Sequence, residues 1–489
     1  MAKRGDRDQI GRVLPDSERL GAANCLIAVD EGTIARGTYV KIEGDGGRSY
    51  FSQIVDGPYH FDGEMGNHEA VYTARLSAMV AGGVQRAVLD RPKPKAPVYL
   101  LERDLVQRFL GAVGDMTVGR LTTQESVQIG LDSDTLTKHV GIFGTTGSGK
   151  SNTIQVMMEE ASKAGFSVIV FDIEGEYVAM DQPTDKLQEL LGRFGLRPIG
   201  VDDLTVYVPQ SSRSRRKDAI KFGISFEHID QQVFSEVAGL NSMEYIYFLD
   251  LIDKVKAIAP TFREVTLKAV LQRLRGRLQA QADNPTLPGH VAEAHTTLYS
   301  KLTVVEGLEI VDTTAKPVDV NDVLTPKKIS VVDLSDASDP VKNIIIADLL
   351  DKLFKCKLAN PDTPRLFVAL EEAHTFISAE KRDKMMATLI LLLELARRGR
   401  KRGICLNIIT QQPARLPAEL LELCNTRIMH RMSSTTNIEV LRQSTGNVPE
   451  SLWDTLPSLG RGEALIASPR YTTAVITQIR PVASRRLTG

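Results

Sequence analysis

The chain has 489 residues, 42% of them hydrophobic, with 60 Lys and Arg against 61 Asp and Glu. That length and apolar content provide core for about two to four domains, and a formal net charge of −1 excludes a generally basic coat, so any nucleic-acid site must be local. Cys25, Cys356, Cys405 and Cys424 are scattered and form no C-x-x-C pair, which argues against a disulfide framework or zinc site and for reduced thiols in a cytoplasmic protein.

Met1-Ala2-Lys3-Arg4-Gly5-Asp6 leads into no apolar segment of the signal-peptide kind, and no run has the length of a membrane span, so no membrane partner is expected. The first hundred or so residues read as β. Leu26–Val29, Thr38–Ile42 and Tyr50–Val55 are short β-rich runs, with Gly44-Asp45-Gly46-Gly47 as a hairpin turn between the last two. Asp90–Lys95 reads as an extended connector, followed by a strand at Val98–Leu101. Strands at this spacing predict a small barrel. It carries no catalytic pattern and reads as an assembly or docking domain.

From about Gly119 strands alternate with helices, the pattern of an α/β domain. His139–Phe143 is a short strand that runs into Gly144-Thr145-Thr146-Gly147-Ser148-Gly149-Lys150-Ser151. This fits G-x-x-x-x-G-K-[ST], a phosphate-binding P-loop. Its glycines turn backbone N–H groups toward phosphate oxygens, and the following helix N-terminus adds partial positive charge. Thr146 lies within the loop, Asn152 follows it, and Ile154, Met157, Met158 and Ala161 form the apolar helix face that closes at Gly165. A plain glycine turn lacks this strand–loop–helix context. Ser167–Phe171 is a buried parallel strand ending in Asp172-Ile173-Glu174-Gly175-Glu176-Tyr177, which puts acids where open α/β sheets bind ligands.

Residues 211–325 read as a helical insertion. Thr261–Glu264 is a capping box, and Leu267, Val270, Leu271, Leu274 and Leu278 share one face. The α/β pattern resumes at Ile329–Leu334. Asp339-Pro340 supplies an N-cap and an N1 proline, and Ile344, Ile345, Leu349 and Leu353 face inward on the helix that follows. Leu366–Leu370 ends in Glu371-Glu372-Ala373-His374. A helix through Met385, Leu389, Leu392, Leu393 and Ala396 then ends in Arg397-Arg398-Gly399-Arg400-Lys401-Arg402. Ile404–Ile409 leads to Thr410-Gln411-Gln412-Pro413, and a last strand runs from Arg427 to Met432.

Hydrolysis needs an acid for Mg²⁺ and a group that positions water. Glu371 suits the metal side and Glu372 the water, with Asp172 the rival metal-side acid. Gln411 and Gln412 can sense the γ-phosphate, or simply close a polar turn. The Arg397–Arg402 cluster is a solvated helix end, a phosphate-backbone contact, or an arginine finger for a neighbouring subunit. Arg213 and Arg215, with Lys381 and Arg382, are the local basic patches for DNA, or else solvated loops. A lone His374 makes no metal site.

The order GTTGSGKS, FDIEGEY, a strand ending EEAH, ARRGRKRG and TQQP resembles the HerA–FtsK superfamily of hexameric DNA-translocating ATPases, and its HerA-type members most, over roughly residues 119–470. The resemblance implies a RecA-like P-loop ATPase core with an N-terminal β-barrel and a helical insertion. The expected segments are a barrel over 1–115, core over 116–210, insertion over 211–325, core over 326–470 and a C-terminal extension over 471–489. It implies an ATP hydrolase using ATP and Mg²⁺. In it, Lys150 and Ser151 take the P-loop roles, Glu372 is the catalytic glutamate and Gln411 or Gln412 the sensor. Arg397 is the arginine acting in trans, with Arg398 as alternative. Lys138 stands where such proteins often carry an arginine, and it keeps the charge without the planar fork. The implied partners are double-stranded DNA, a homo-hexameric ring and a NurA-like nuclease in DNA end processing and repair. Two other readings share the core motifs: a ring scaffold gating an effector nuclease in phage defence, and a protein-moving secretion-type ring.

Overall fold

The computed structural model describes residues 9–15, 23–30, 33–62, 68–258, 265–283, 288–375, 377 and 386–487. Met1–Asp6, the capping box Thr261–Glu264, Met385 and the basic pair Lys381 and Arg382 lie outside the described residues. The chain divides into two compact units that cut across its linear segments. One comprises Met1–Leu136, Ile142–Thr153 and Asn425–Arg480, the other Thr137–Gly141, Ile154–Cys424 and Pro481–Gly489.

In the first unit, alternating apolar residues build the barrel. The strands are β1 (Gln9–Val13), β2 (Asn24–Val29), β3 (Tyr39–Glu43), β4 (Ser49–Asp62), β5 (His68–Ala81), β6 (Val84–Arg86) and β7 (Pro97–Leu100). They run in the order β2-β1-β7-β3-β4-β5, and pairing of β2 with β5 closes six of them, while β6 extends β5. Val13, Ile27, Val40, Ile42, Tyr50, Ile54, Tyr72 and Val98 fill the interior. Gly11 lets β1 cross β2 closely, since a Cβ there would stand 1.9 Å from the Ala28 carbonyl oxygen. β1 and β5 were not legible as strands in the sequence.

The same unit holds the hairpin β8 (Met116–Leu121) and β9 (Gln124–Leu131), an antiparallel feature where strand–helix alternation was expected. It also holds β17 (Thr426–His430), β18 (Glu463–Ala467) and β19 (Val475–Ile479). These pair antiparallel as β17-β18-β19-β8-β9. The expected C-terminal extension therefore contains a strand with neighbours on both sides.

The second unit is built on a parallel sheet in the order β13-β12-β14-β11-β15-β16. Its strands are β11 (Ser167–Asp172), β12 (Leu204–Pro209), β13 (Ile220–Phe222), β14 (Ile329–Asp333), β15 (Leu366–Leu370) and β16 (Ile404–Thr410). β11, β14, β15 and β16 are buried along their whole length, as continuous apolar strands must be when helices cover both faces. The long helix after β14 spans Asp339–Ala359, with Ser338 rather than Asp339 at its N-cap. Between β13 and β14 stand the helices Ser242–Ile258, Leu267–Asp283 and Gly289–Glu306. They bury Leu267, Val270, Leu271 and Leu274 and leave Leu278 half-buried, and Phe248 of the first stacks at 5.4 Å on Phe234 of the preceding helix Gln231–Val237. No helix among the described residues is long and apolar enough to cross a membrane.

Candidate nucleotide site and strand-end acids

The strand β10 (Val140–Phe143) delivers the P-loop, and the helix Lys150–Lys163 leaves it. The loop is anchored within the first unit by the end of β17. Thr145 donates its N–H and its hydroxyl to the Arg431 carbonyl, at 3.0 and 3.1 Å. Gly462 N–H donates to the Ser148 carbonyl at 3.0 Å. Two glycines are favoured by backbone angle, and the first is also required by space. Gly144 (φ 155°) would place a Cβ 2.7 Å from His430 Cβ, and Gly149 (φ 126°) would place one 3.2 Å from Gly462 Cα. Lys150 Nζ arches back to the Thr145 carbonyl at 3.2 Å. Ser151 opens the helix beside it, whereas the Asn152 amide donates to the Arg480 carbonyl at 2.8 Å and so braces the end of β19. Thr146 and Gly147 form the exposed crest of the loop.

His430, unnoticed in the sequence, lies buried beneath this loop. Its Nδ1 is 2.8 Å from the Glu463 carbonyl oxygen and its Nε2 is 2.8 Å from Thr153 Oγ1. With Nδ1–H donating to the carbonyl, Nε2 accepts from the threonine hydroxyl. Burial, opposed by the bond to the Glu463 carbonyl and aided by the charge of Lys150, brings its pKa down to about 4.

In the second unit three adjacent parallel strands end in acids: β14 in Asp333, β11 in Asp172 and β15 at Leu370-Glu371-Glu372. Asp172, expected to serve the nucleotide, has a structural task. Its Oδ1 accepts from the N–H groups of Gly175 and Glu176 at 2.8 and 3.1 Å, and its Oδ2 from Tyr177 N–H at 2.9 Å. Those bonds fold the loop that aims the Tyr177 hydroxyl at Glu371 Oε1, to which it donates. Burial raises Asp172 to about 7, its backbone hydrogen bonds oppose that rise, and the nearby Asp333 adds to it. Glu371 is also buried, and desolvation first, then Asp172, hold its pKa well above the usual carboxylate range. Its Oε2 is buried with no hydrogen-bond partner among the described residues.

Glu372 is half-buried and differently held. Its backbone is left-handed, φ 42°, a conformation that costs a non-glycine residue about 1–2 kcal/mol. The Gln411 amide, at the end of β16, donates to Glu372 Oε1 at 3.3 Å. His374 Nδ1 lies 3.2 Å from Glu372 Oε2 and 3.0 Å from Thr410 Oγ1. Gln412 N–H donates to that same hydroxyl at 3.0 Å. The expected glutamate and the expected sensor are thus joined directly, with His374 as a third member.

The helix Met386–Arg398 separates the two candidate arginines. Arg398 pairs with Glu394 on its own helix and lies over the Phe354 ring at 5.7 Å. Arg397 is exposed, with no acidic partner among the described residues. Arg213 and Arg215 are exposed at a cleft of about 380 Å³ lined also by Ile173, Glu174, Ser335 and Asp336. Their neighbour Arg216 is tied to Asp181 and Asp218 at 2.8 and 2.9 Å.

Residues 116–353 match the profile of the HerA helicase central domain. The chain is 23% identical over 459 residues to the DNA double-strand break repair helicase HerA of Saccharolobus solfataricus, covering 89% of this chain and 86% of that protein. It is 23% identical over 403 residues to a probable helicase of Methanocaldococcus jannaschii, covering 79% and 71%. The plasmid coupling protein TrwB, solved with a non-hydrolysable GTP analogue, shares the fold at TM-score 0.53 and 14% identity, over 78% of this chain and 92% of that one. The chain is thus similar to HerA helicases over most of its length.

Proposed function

We propose that this chain is an ATP-driven translocase of double-stranded DNA that works as a homo-hexameric ring, together with a NurA-like nuclease, in DNA end processing and repair. The observation that carries the hydrolytic part is the Glu372–Gln411 contact at 3.3 Å on a left-handed backbone. Strain of that kind persists where the surroundings hold a side chain for a task. Glu372 polarises the attacking water and Gln411 fixes the rotamer from which it does so. Lys150 binds the β- and γ-phosphates, and Ser151 and Glu371 hold the metal side. The chain's donor set fits ATP with Mg²⁺: a glycine loop before a helix N-terminus, and a buried carboxylate oxygen, Glu371 Oε2, without a hydrogen-bond partner among the described residues. When bound, Mg²⁺ neutralises charge on the transferring phosphoryl group.

Ring formation is supported by Arg397, an exposed arginine with no acid of its own chain among the described residues. It suits a group that stabilises phosphoryl charge in a neighbouring subunit. The name of one relative, a DNA double-strand break repair helicase, points to DNA, and another is called a probable helicase. The test is ATP turnover with and without duplex DNA across a salt series, using Lys150→Ala as the control. Turnover stimulated by duplex DNA, more weakly at high salt, and absent in Lys150→Ala is expected. Turnover indifferent to DNA at every salt concentration would overturn the translocase reading.

A further inference from the structure

His139 immediately precedes β10, the strand that runs into the P-loop, and no motif marks it. The ring is buried, 2% exposed, on a left-handed backbone with φ 62°. Both ring nitrogens are used. Nε2 lies 2.6 Å from the carbonyl oxygen of Ala396, and Nδ1 lies 3.1 Å from the N–H of Leu406. The second contact assigns the tautomer: Nδ1 accepts from the Leu406 N–H, so Nε2 carries the proton and donates to Ala396. Burial also lowers the pKa of this ring, which keeps it neutral.

Ala396 is the residue before Arg397, in the last turn of the helix Met386–Arg398. Carbonyls there lack intrahelical partners. Leu406 lies in β16, the strand that leads into Gln411. One imidazole therefore ties the residue before the P-loop strand to the last turn carrying Arg397 and to the strand leading into Gln411. Ala396 and Leu406 are themselves buried, and the bonds are to backbone atoms. The tie thus fixes the main-chain path on which Arg397 stands.

We propose that His139 is a positioning residue for Arg397: its Nε2–H sets where the last turn of the arginine helix stands. The inference rests on the reading that Arg397 acts on the nucleotide of a neighbouring subunit. It adds the element of the chain to which that arginine is geared, the strand entering the chain's own P-loop.

Two substitutions divide the two bonds. His139→Asn places an amide oxygen near Nδ1, keeps the acceptor for Leu406, and tolerates the left-handed backbone, but does not reach Ala396. His139→Gln places an amide N–H near Nε2 and restores the Ala396 bond. Each is assayed beside Arg397→Ala for affinity toward a non-hydrolysable ATP analogue, for turnover, and for turnover after mixing with Glu372→Gln subunits. Those subunits supply an intact Arg397 while being unable to hydrolyse. The expected result is unchanged analogue affinity for all three. Turnover falls about tenfold or more in His139→Asn, is near wild type in His139→Gln, and recovers in part when His139→Asn is mixed with Glu372→Gln. A residue serving only the stability of its own P-loop would lose analogue affinity and would not recover on mixing, and that result overturns the proposal. So does His139→Asn turning over at the wild-type rate while Arg397→Ala is inactive. If Arg397→Ala itself turns over normally, the reading of Arg397 fails, which is a separate outcome.

Discussion

The Gln411 side-chain amide donates to Glu372 Oε1 across 3.3 Å, joining the end of β16 to the residue that leaves β15 with a left-handed backbone. The contact fixes the carboxylate, and the strained backbone is what points it there. Two variants separate these contributions. Glu372→Gln preserves the shape but not the basicity, so ATP affinity should hold while turnover drops on the order of a hundredfold or more. Glu372→Gly removes the side chain but also the left-handed strain. It should be equally inactive, yet more stable than Glu372→Ala by about 1 kcal/mol in denaturant unfolding. Equal stability of the glycine and alanine variants would show that the backbone at 372 stores no strain.

Arg397 and Arg398 are neighbours in sequence with opposite surroundings. Arg398 is already engaged by Glu394 and by the face of Phe354. Its ion pair is exposed and its ring contact modest, so Arg398→Ala should cost roughly 1 kcal/mol of stability or less, with turnover within about threefold of wild type. Arg397→Ala should leave the unfolding midpoint unchanged and lower turnover about a thousandfold, the scale of an arginine finger. Thermal melts and single-turnover assays on the two variants read both quantities. The reversed pattern would transfer the trans role to Arg398.

The P-loop was legible because its chemistry demands contiguous residues, and the buried strands because their apolar runs are uninterrupted. The strand-end places of Glu371, Glu372 and Gln411 were legible from the apolar runs before them, and one rule, that ligands gather at the carboxyl ends of parallel strands, singled them out. The same rule singled out Asp172, but not that its carboxylate folds its own loop by accepting three backbone N–H groups. What stayed hidden has long sequence separation. Tyr177 meets Glu371, His430 lies under Gly144 and Gly149, and His139 bridges to Ala396 and Leu406. The one local signal was a histidine standing within or beside a strand that serves the P-loop, an odd choice for a wholly apolar core. β19 was hidden for a related reason, since only its partners β18 and β8 distinguish it from a tail.

His430 makes stability depend on acid. The folded ring holds its neutral form down to about 4, against 6.5 for an ordinary histidine. Above pH 6.5 the ring is neutral whether folded or unfolded, and its packing contributes fully. Between about 6.5 and 4 the unfolded chain gains a proton that the folded chain refuses, so stability falls as pH falls, by about 3 kcal/mol over that window. Asp172, raised to about 7, works in the other direction, because its folded proton is lost as pH rises. Comparing wild type with His430→Asn cancels that background. The difference in unfolding free energy should be flat above pH 6.5 and shrink on acidification. A difference independent of pH from 7.5 to about 4.5 would mean that the buried ring takes up a proton as readily as it does in the unfolded chain.

The P-loop helix is held at its far end by the chain's last residues. Glu159 is buried, and its Oε1 accepts from Ala483 N–H at 2.9 Å, Ser484 N–H at 2.8 Å and Ser484 Oγ at 2.6 Å. Gln155 donates to the same serine hydroxyl at 2.8 Å. Beyond it, Arg485 N–H donates to the Gln182 carbonyl and Leu487 N–H to the Glu176 carbonyl, both within the stretch that follows Asp172. The tail thus ties the helix behind the P-loop to the loop that carries Tyr177, the residue whose hydroxyl meets Glu371. Removing the carboxylate leaves two buried N–H groups and a hydroxyl short of an acceptor, each costing about 1–3 kcal/mol. Glu159→Ala should therefore lose roughly 3 kcal/mol or more, and Glu159→Gln, which keeps one acceptor oxygen, about 1 kcal/mol. Truncation after Arg480 removes the same bonds from the other side. Combined with Glu159→Ala, it should cost much less than the sum of the two, because the changes share one interaction. Urea unfolding of the four variants measures this, and strict additivity would mean that the carboxylate and the tail stabilise the helix independently.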